Sequence, residues 1–256
     1  GGFLPSNSLS TMVNTNAKEI IFSFLMLVSF FSIFLSYNLL TIKKKNIIFF
    51  HEDLSLAAYI CFLSALFFLL FNLDYNFSAI FLSICSSVSN IGISLEGAYE
   101  NASFFFLIIV IIGGSFFSTS SGIRFVKLYS LFKFAINELV SNVKPYNIYI
   151  NKLEFSNSTV DIKDINKYFI SVIIFILSLF ILSSLLTISG MDLESSFKLS
   201  IITIMNTVNS SIYGLSDINF NEMQYFTKYF LMIFMIIGRV ELLTLLIIIK
   251  KFLFKN

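Results

Sequence analysis

The sequence Phe77–Ser94, FSAIFLSICSSVSNIGIS, joins a short apolar segment to a polar loop and decides the fold. Its apolar part, Phe77–Ser87, is too short to cross about 30 Å of hydrocarbon, which takes roughly 20 residues in a helix. The same order recurs at Ser195–Val208, which precedes the polar segment Asn209–Ser216. Non-helical backbone at membrane depth needs protein or a water-filled cavity to satisfy its amides. Both segments therefore predict a re-entrant half-helix followed by a polar loop.

The composition indicates that the rest of the chain lies in a lipid bilayer. Of the 256 residues, 57% are hydrophobic and only 12% are charged, whereas soluble domains carry about a quarter charged residues. Apolar runs predict membrane spans at Ile20–Leu40, Leu54–Leu70, Ala102–Phe134 (interrupted), Tyr168–Ile188 and Tyr225–Phe254. The formal net charge of +2 argues against nucleic-acid binding. With one histidine and two distant cysteines, the chain is not expected to be an enzyme or to hold an organic cofactor.

Charged residues orient the predicted spans. With the polar loops outside, most flanking lysines fall inside, among them Lys43–Lys45 and Lys250–Lys251, which is the positive-inside pattern. Asp192 and Glu194 fall outside. They either concentrate cations at the mouth of a pore or stabilise the N-terminus of a half-helix. The prediction is a multi-pass protein of the cell membrane.

Two further features lie within predicted spans. The segment Gly113–Gly122, GGSFFSTSSG, is rich in glycine and hydroxyl residues and is predicted to break its helix. The break serves either as a hinge or gate or as a site of small-residue packing between helices. Arg239 lies in the last span, where a charged side chain is costly and indicates function. It forms either an electrostatic barrier in a pore or a tie to carbonyls of the broken span.

Three motifs resemble those of the Trk/Ktr/HKT potassium transporters. Gly113–Lys127, GGSFFSTSSGIRFVK, resembles the GGSxGSTxGGIKxxR stretch of that family, and Gly238–Leu246, GRVELLTLL, is similar to its GRLEhhTLL signature. Gly2–Asn7, GFLPSN, is similar to its filter sequence GFxPxN. The resemblance implies an all-α membrane protein of the K⁺-channel type, in which four helix–re-entrant pore loop–helix repeats surround one pore.

On this resemblance the chain is the C-terminal half of a TrkH-like membrane subunit, with the N-terminal half belonging to a longer protein. Residues 1–45 are then the end of repeat two, with its filter loop and the following transmembrane helix. Residues 46–140 are repeat three, with a broken second helix. Residues 141–167 are a cytoplasmic link that includes a small hairpin around Asn151, and residues 168–256 are repeat four.

The resemblance also implies roles for individual residues. The ion filter, whose backbone carbonyls and hydroxyls would hold dehydrated K⁺, comprises Gly2, Asn90, Gly92, Asn209, Ser211 and Gly214. The intramembrane gating loop comprises Gly113, Gly114, Ser115, Ser118, Thr119, Ser120, Ser121 and Gly122, and Arg239 is the pore-facing arginine. The expected partners are a second copy in a homodimer and a TrkA-like cytosolic nucleotide-binding regulatory subunit. The expected location is the bacterial inner membrane.

The fourth repeat departs from the family pattern. Where the family has Asn-x-Gly-Pro-Gly, this chain has Asn209–Gly214, NSSIYG, with either Ser211 or Ile212 in the glycine position. A non-glycine residue at one filter position goes with sodium permeation in plant relatives. The main prediction is uptake of K⁺ or another monovalent cation, either passive or by symport. The alternatives are a sodium-permeable pore and a non-conducting regulatory or structural subunit.

Overall fold

The chain is an all-α membrane protein, as its sequence predicts. A computed structural model describes residues 13, 15–32, 47–70, 76–93, 102–115, 118–143, 162–207, 211–215, 218, 220–221 and 223–239. The helices of these residues are α1 (Asn16–Leu27), α2 (Ile47–Leu70), α3 (Phe77–Val88), α4 (Ser103–Ile111), α5 (Phe125–Val143), α6 (Ile162–Ile188), α7 (Leu193–Met205) and α8 (Tyr225–Arg239). A 3₁₀ turn at Ser211–Tyr213 follows α7.

Two of the described helices, α2 and α6, are long and apolar enough to cross a bilayer, at Glu52–Leu70 and Asp164–Ile188. Both present large apolar side chains outward: Leu69 is 76% exposed and Phe180 is 60% exposed. Such surfaces are stable only where lipid covers them. The helices therefore present a lipid-facing surface.

The two predicted half-helices are present as α3 and α7, each within a few residues of its predicted bounds. Four serines of α3 are buried, at positions 78, 83, 86 and 87. Ser83 Oγ donates to Ala79 O at 2.9 Å, which satisfies its hydroxyl within the helix. Asp192 is the N-cap residue of α7, but its side chain makes no capping hydrogen bond.

The third predicted span is interrupted, as its glycines indicate. Helix α4 ends at Ile111 and α5 begins at Phe125. Between them, strands β1 (Ile112–Gly113) and β2 (Ile123–Arg124) pair in parallel. This short pair was not predicted. The strand pair brings the two ends of the loop together, and residues 114–122 connect the two strands.

The prediction of a continuous span at Ile20–Leu40 is wrong at its centre. Helix α1 ends at Leu27, and Val28–Phe30 form a turn in which Phe30 N donates to Leu27 O at 3.0 Å. The carbonyls of this turn bond elsewhere in the fold, which is the physical reason for the break. The predicted filter residues Gly2 and Asn209 lie outside the described residues, as do the hairpin around Asn151 and the chain after Arg239.

One hydrophobic core joins the half-helix α3 to the half-helix α7. Helix α4 packs against both α3 and α7, so the two half-helices meet through it. Phe67 of α2 and Phe106 of α4 are fully buried, with ring centroids 4.8 Å apart. Tyr213, after α7, is also fully buried in this core. The loops after α3 and α7 are thereby fixed beside each other.

Candidate functional site: the pore loops and the intramembrane loop

The loop after α3 turns sharply at the carboxyl end of the half-helix. Asn90 and Gly92 both have positive φ, 58° and 76°, a conformation that glycine and asparagine tolerate best. Ser86 holds the turn, since its carbonyl accepts from Ile91 N at 3.0 Å and its Oγ accepts from Ile93 N at 2.7 Å. The carboxyl end of a helix carries about half a negative elementary charge. The turn is therefore a favourable place for a cation.

The side chain of Asn90 reaches toward the interrupted span. Its Nδ2 donates to Ser121 O at 2.8 Å, and the side chain is buried. This bond joins the predicted filter loop of repeat three to the predicted gating loop. The other atom of the amide, Asn90 Oδ1, is buried and has no hydrogen-bond partner among the described residues.

The loop after α7 has a different form. Ile212 and Tyr213 are fully buried, and Tyr213 Oη lies 3.4 Å from Ser87 Oγ of α3. Gly214 has a φ of +65° and lies beside Lys198, which forms an ion pair with Glu194 at 2.6 Å. The Lys198 ammonium lowers the pKa of Glu194 by a hydrogen bond and by its charge. The backbone of Ser211 lies in the 3₁₀ turn.

The described part of the intramembrane loop, residues 113–115 and 118–122, is tightly folded. A Cβ at Gly114 would collide with the carbonyl oxygen of Phe30, and one at Gly113 would lie 2.8 Å from Ser121 O. Ser118 Oγ and Ser120 Oγ lie 2.9 Å apart, and Gly114 N donates to Ser120 Oγ at 2.9 Å. The glycines permit close backbone approach, and the hydroxyls satisfy the exposed amides.

Arg124, in strand β2 just after this loop, has no role predicted from the sequence. Its Nη1 lies 2.9 Å from Ser118 Oγ, 3.0 Å from Ser118 O, 3.2 Å from Ser120 O and 3.3 Å from Ser115 O. A guanidinium group surrounded by carbonyls holds a loop in one shape because it carries several donors in a rigid plane. The sequence carries one indication of this role, because a charged residue within a membrane span requires partners.

The broken end of α1 supports the loop from the other side. Ser115 N donates to Phe30 O at 3.1 Å, and Ser29 O accepts from Thr119 N and Ser120 N, each at 3.2 Å. Thr119 Oγ1 also lies 3.2 Å from Ser29 O. These long-range bonds explain why α1 ends at Leu27. No local pattern in residues 28–32 indicates them, since that segment contains neither glycine nor proline.

Arg239, at the end of α8, lies beside the same loop. Its Nη1 is 3.2 Å from Ser121 Oγ and 3.4 Å from Thr119 O, both at the long end of hydrogen-bond distances. The residue is exposed rather than buried. Gly238 lets α8 come this close, because a Cβ there would collide with the Ile204 carbonyl oxygen of α7. The guanidinium therefore combines a weak tie to the loop with a free positive charge.

The described site thus brings together Asn90, Arg239 and the intramembrane loop, with Ser121 contacting both of the others. No group of three or more histidine, cysteine, aspartate or glutamate side chains suited to a metal ion occurs among the described residues. The arrangement consists of backbone carbonyls, hydroxyls and one exposed cation. It defines a membrane protein in which two half-helices and their loops lie against an interrupted helix.

This architecture is similar to a solved one. A crystal structure of the potassium transporter TrkH from Vibrio parahaemolyticus matches with a TM-score of 0.81 at 21% sequence identity, over 97% of this chain and 55% of that chain. The chain therefore spans about half the length of that transporter. No family model matches the sequence, and no curated protein matches it. The likeness establishes the fold.

Proposed function

We propose that this chain forms part of a pore for the uptake of K⁺ or a related monovalent cation. The observation that carries the proposal is the pair of half-helices α3 and α7, both of which pack against α4, the first part of the interrupted helix. A half-helix pointing its carboxyl end into the membrane stabilises a cation there, and carbonyl-lined loops replace the ion's water. The similarity of fold to a potassium transporter supports the same function.

In this proposal the filter is formed by the loops after the half-helices. Gly92 and Gly214 have positive φ, which turns successive carbonyls in ways that most residues resist. Gly2, Asn209 and Ser211 belong to the proposed filter through their motif positions. Asn90 contributes its backbone oxygen while its side chain holds the filter loop to Ser121.

The intramembrane loop is the proposed gate, and Arg239 the proposed barrier. The described part of the loop is held by hydrogen bonds to Ser29, Phe30 and Asn90. Hydrogen bonds of this kind can be exchanged for water when a loop moves. The exposed charge of Arg239 repels cations at the same level, and its long contacts to the loop let it follow a movement.

A pore with altered selectivity is the second candidate, because of the loop after α7. Burial of Ile212 and Tyr213 pulls that loop into the core, and Ser211 adds a side chain at a proposed filter position. Such a loop holds its carbonyls differently from the loop after α3. The expected consequence is that the pore is permeable to sodium. If the change in the loop is larger, the chain is a regulatory subunit that does not conduct.

The proposed partners follow from the resemblance. They are a second copy of the protein and a cytosolic nucleotide-binding subunit of the TrkA type, acting at a bacterial inner membrane. The intramembrane loop is followed directly by α5 (Phe125–Val143). A subunit that moved α5 from the cytosolic side would act on the loop through β2.

Growth of cells that lack potassium uptake tests this function. The native full-length protein should restore growth at low K⁺. Ser211→Gly, which restores glycine at the proposed filter position, should lower sodium permeation relative to potassium in the same cells. Ser189→Gly, in the half-buried turn after α6, is the matched control and should change neither. Failure of the correctly inserted wild-type protein to restore growth would contradict the proposal.

A further inference from the structure

The end of α1 is a turn that contacts the intramembrane loop and is itself held by α2. Ser29 and Phe30 supply the carbonyls that bond the loop. Two residues later, Ser32 N donates to Asp53 Oδ1 at 2.9 Å. Ser32 is fully buried and Asp53 is 3% exposed. The loop, the turn and the carboxylate therefore form a continuous series of hydrogen bonds.

Asp53 stands at an unusual place for a carboxylate. It is the second residue of the membrane-crossing part of α2, Glu52–Leu70, and it is buried there, which is costly for a carboxylate without hydrogen-bond partners. Only one of its oxygens is engaged among the described residues, since Oδ2 has no hydrogen-bond partner there. The engaged oxygen meets the first backbone amide after the turn. The bond gives an acceptor to a buried backbone amide beyond the end of α1, and a buried amide is costly to leave unpaired.

We propose that Asp53 is a positioning residue for the intramembrane loop, a role that rests on the proposed gating function. By accepting from Ser32 N, Asp53 fixes the turn at residues 28–31. The fixed turn then presents the Ser29 and Phe30 carbonyls to Ser115, Thr119 and Ser120. What positions the turn is the acceptor oxygen at Oδ1, and the negative charge is not required for it.

Because the proposal requires the acceptor oxygen but not the negative charge, it can be tested with matched variants of Asp53. Asp53→Asn keeps a carbonyl acceptor of the same length without the charge. Asp53→Ala removes the acceptor, and Asp53→Leu removes it while filling the volume. Ser55→Ala serves as the control on the same helix, because Ser55 Oγ bonds only to Glu52 O of its own helix, at 2.7 Å.

Loop exposure is measured by thiol labelling. Thr119→Cys is introduced in every variant of the native full-length protein, in a background without other reactive cysteines, because Thr119 is exposed in the loop. A water-soluble maleimide should label it several-fold faster in Asp53→Ala and Asp53→Leu than in wild type. Asp53→Asn and Ser55→Ala should label at the wild-type rate, and rubidium flux should change in the same order as labelling.

Two results would overturn the role of Asp53. The first is faster labelling in Asp53→Asn as well, which would show that the charge matters, as in a proton or cation site. The second is an unchanged rate in Asp53→Ala and Asp53→Leu. Labelling that changes as expected while the flux does not would leave the role of Asp53 intact and contradict the gating function instead.

Discussion

The proposed repeats three and four use the same residue at the end of the half-helix, but against different partners. Asn90 follows α3 and Asn206 follows α7, both with left-handed backbone at φ 58° and 53°. Asn90 Nδ2 donates to Ser121 O in the interrupted span, whereas Asn206 Nδ2 donates to Met235 O, at 2.9 Å, in the continuous helix α8. One repeat attaches its half-helix to a loop, and the other attaches it to a helix.

The difference bears on the proposed gate. A helix has its backbone amides satisfied internally, so the bond from Asn206 adds packing to a regular element. The described part of the loop has bonds among its own residues and further bonds to Arg124, Ser29, Phe30 and Asn90. In the proposed mechanism the loop is therefore the element that changes shape, and α8 with Arg239 is the fixed wall beside it.

The largest effect is expected at the two glycines where backbones touch. Gly114→Ala would push against Phe30 O, and Gly238→Ala would push against Ile204 O. Neither backbone can move without disturbing its neighbours, so each variant should lose about 3 kcal/mol of stability, the upper part of the range for overpacking. Thermal unfolding in detergent measures the loss.

Gly190→Ala is the control for both glycine variants. A Cβ there would meet nothing within 4 Å, although its φ of +97° strains any other residue. Its loss should stay near 1 kcal/mol. Equal losses at all three glycines would mean that backbone strain, rather than close approach, sets the cost.

The second test separates the two asparagines. Asn90→Ala leaves the buried Ser121 carbonyl without this donor, at a cost of about 1–3 kcal/mol. Asn206→Ala removes a bond to the carbonyl of the exposed Met235, at a cost of about 0.5–1.5 kcal/mol. Only Asn90→Ala should also change cation flux, because only Asn90 contacts the proposed gate. Flux in proteoliposomes, compared at equal amounts of folded protein, measures this. An equal change in flux from both variants would remove the contrast between the repeats.

The sequence predicted the half-helices well and their attachments poorly. The apolar lengths of Phe77–Ser87 and Ser195–Val208 led directly to α3 and α7, because hydrocarbon thickness constrains segment length. The glycines at 113, 114 and 122 likewise predicted the break between α4 and α5. The break in α1 could not be predicted, since it depends on partners some 90 residues away in the chain, such as Thr119 for Ser29.

The directions of the side chains could not be predicted from the sequence either. The motif predicted Asn90 in the filter but gave no indication that its side chain bonds the Ser121 carbonyl. Arg124 lay within a quoted motif, yet only the folded loop brings the oxygens of Ser115, Ser118 and Ser120 to one guanidinium nitrogen. A local sequence pattern therefore predicts where a helix or loop lies, whereas the contacts of its side chains depend on residues that are distant in the sequence.

The smallest effect on stability is expected at Arg239, where the contacts are long and the side chain is exposed. Arg239→Ala should cost under about 1 kcal/mol, while raising cation flux because a positive charge leaves the path. Arg239→Lys keeps the charge and loses the planar group. Flux near wild type in Arg239→Lys supports a barrier. Flux as high as that of Arg239→Ala would support a tie to the loop.

Rubidium uptake by proteoliposomes tests the central claim most directly. The native full-length protein carrying Thr119→Cys, in a background without other reactive cysteines, is measured before and after attachment of a bulky cationic thiol reagent. The account predicts uptake well above that of empty liposomes and a several-fold fall after attachment, because the loop lies in the ion path. Uptake no greater than in empty liposomes, or uptake unaffected by complete modification of the cysteine, would contradict it.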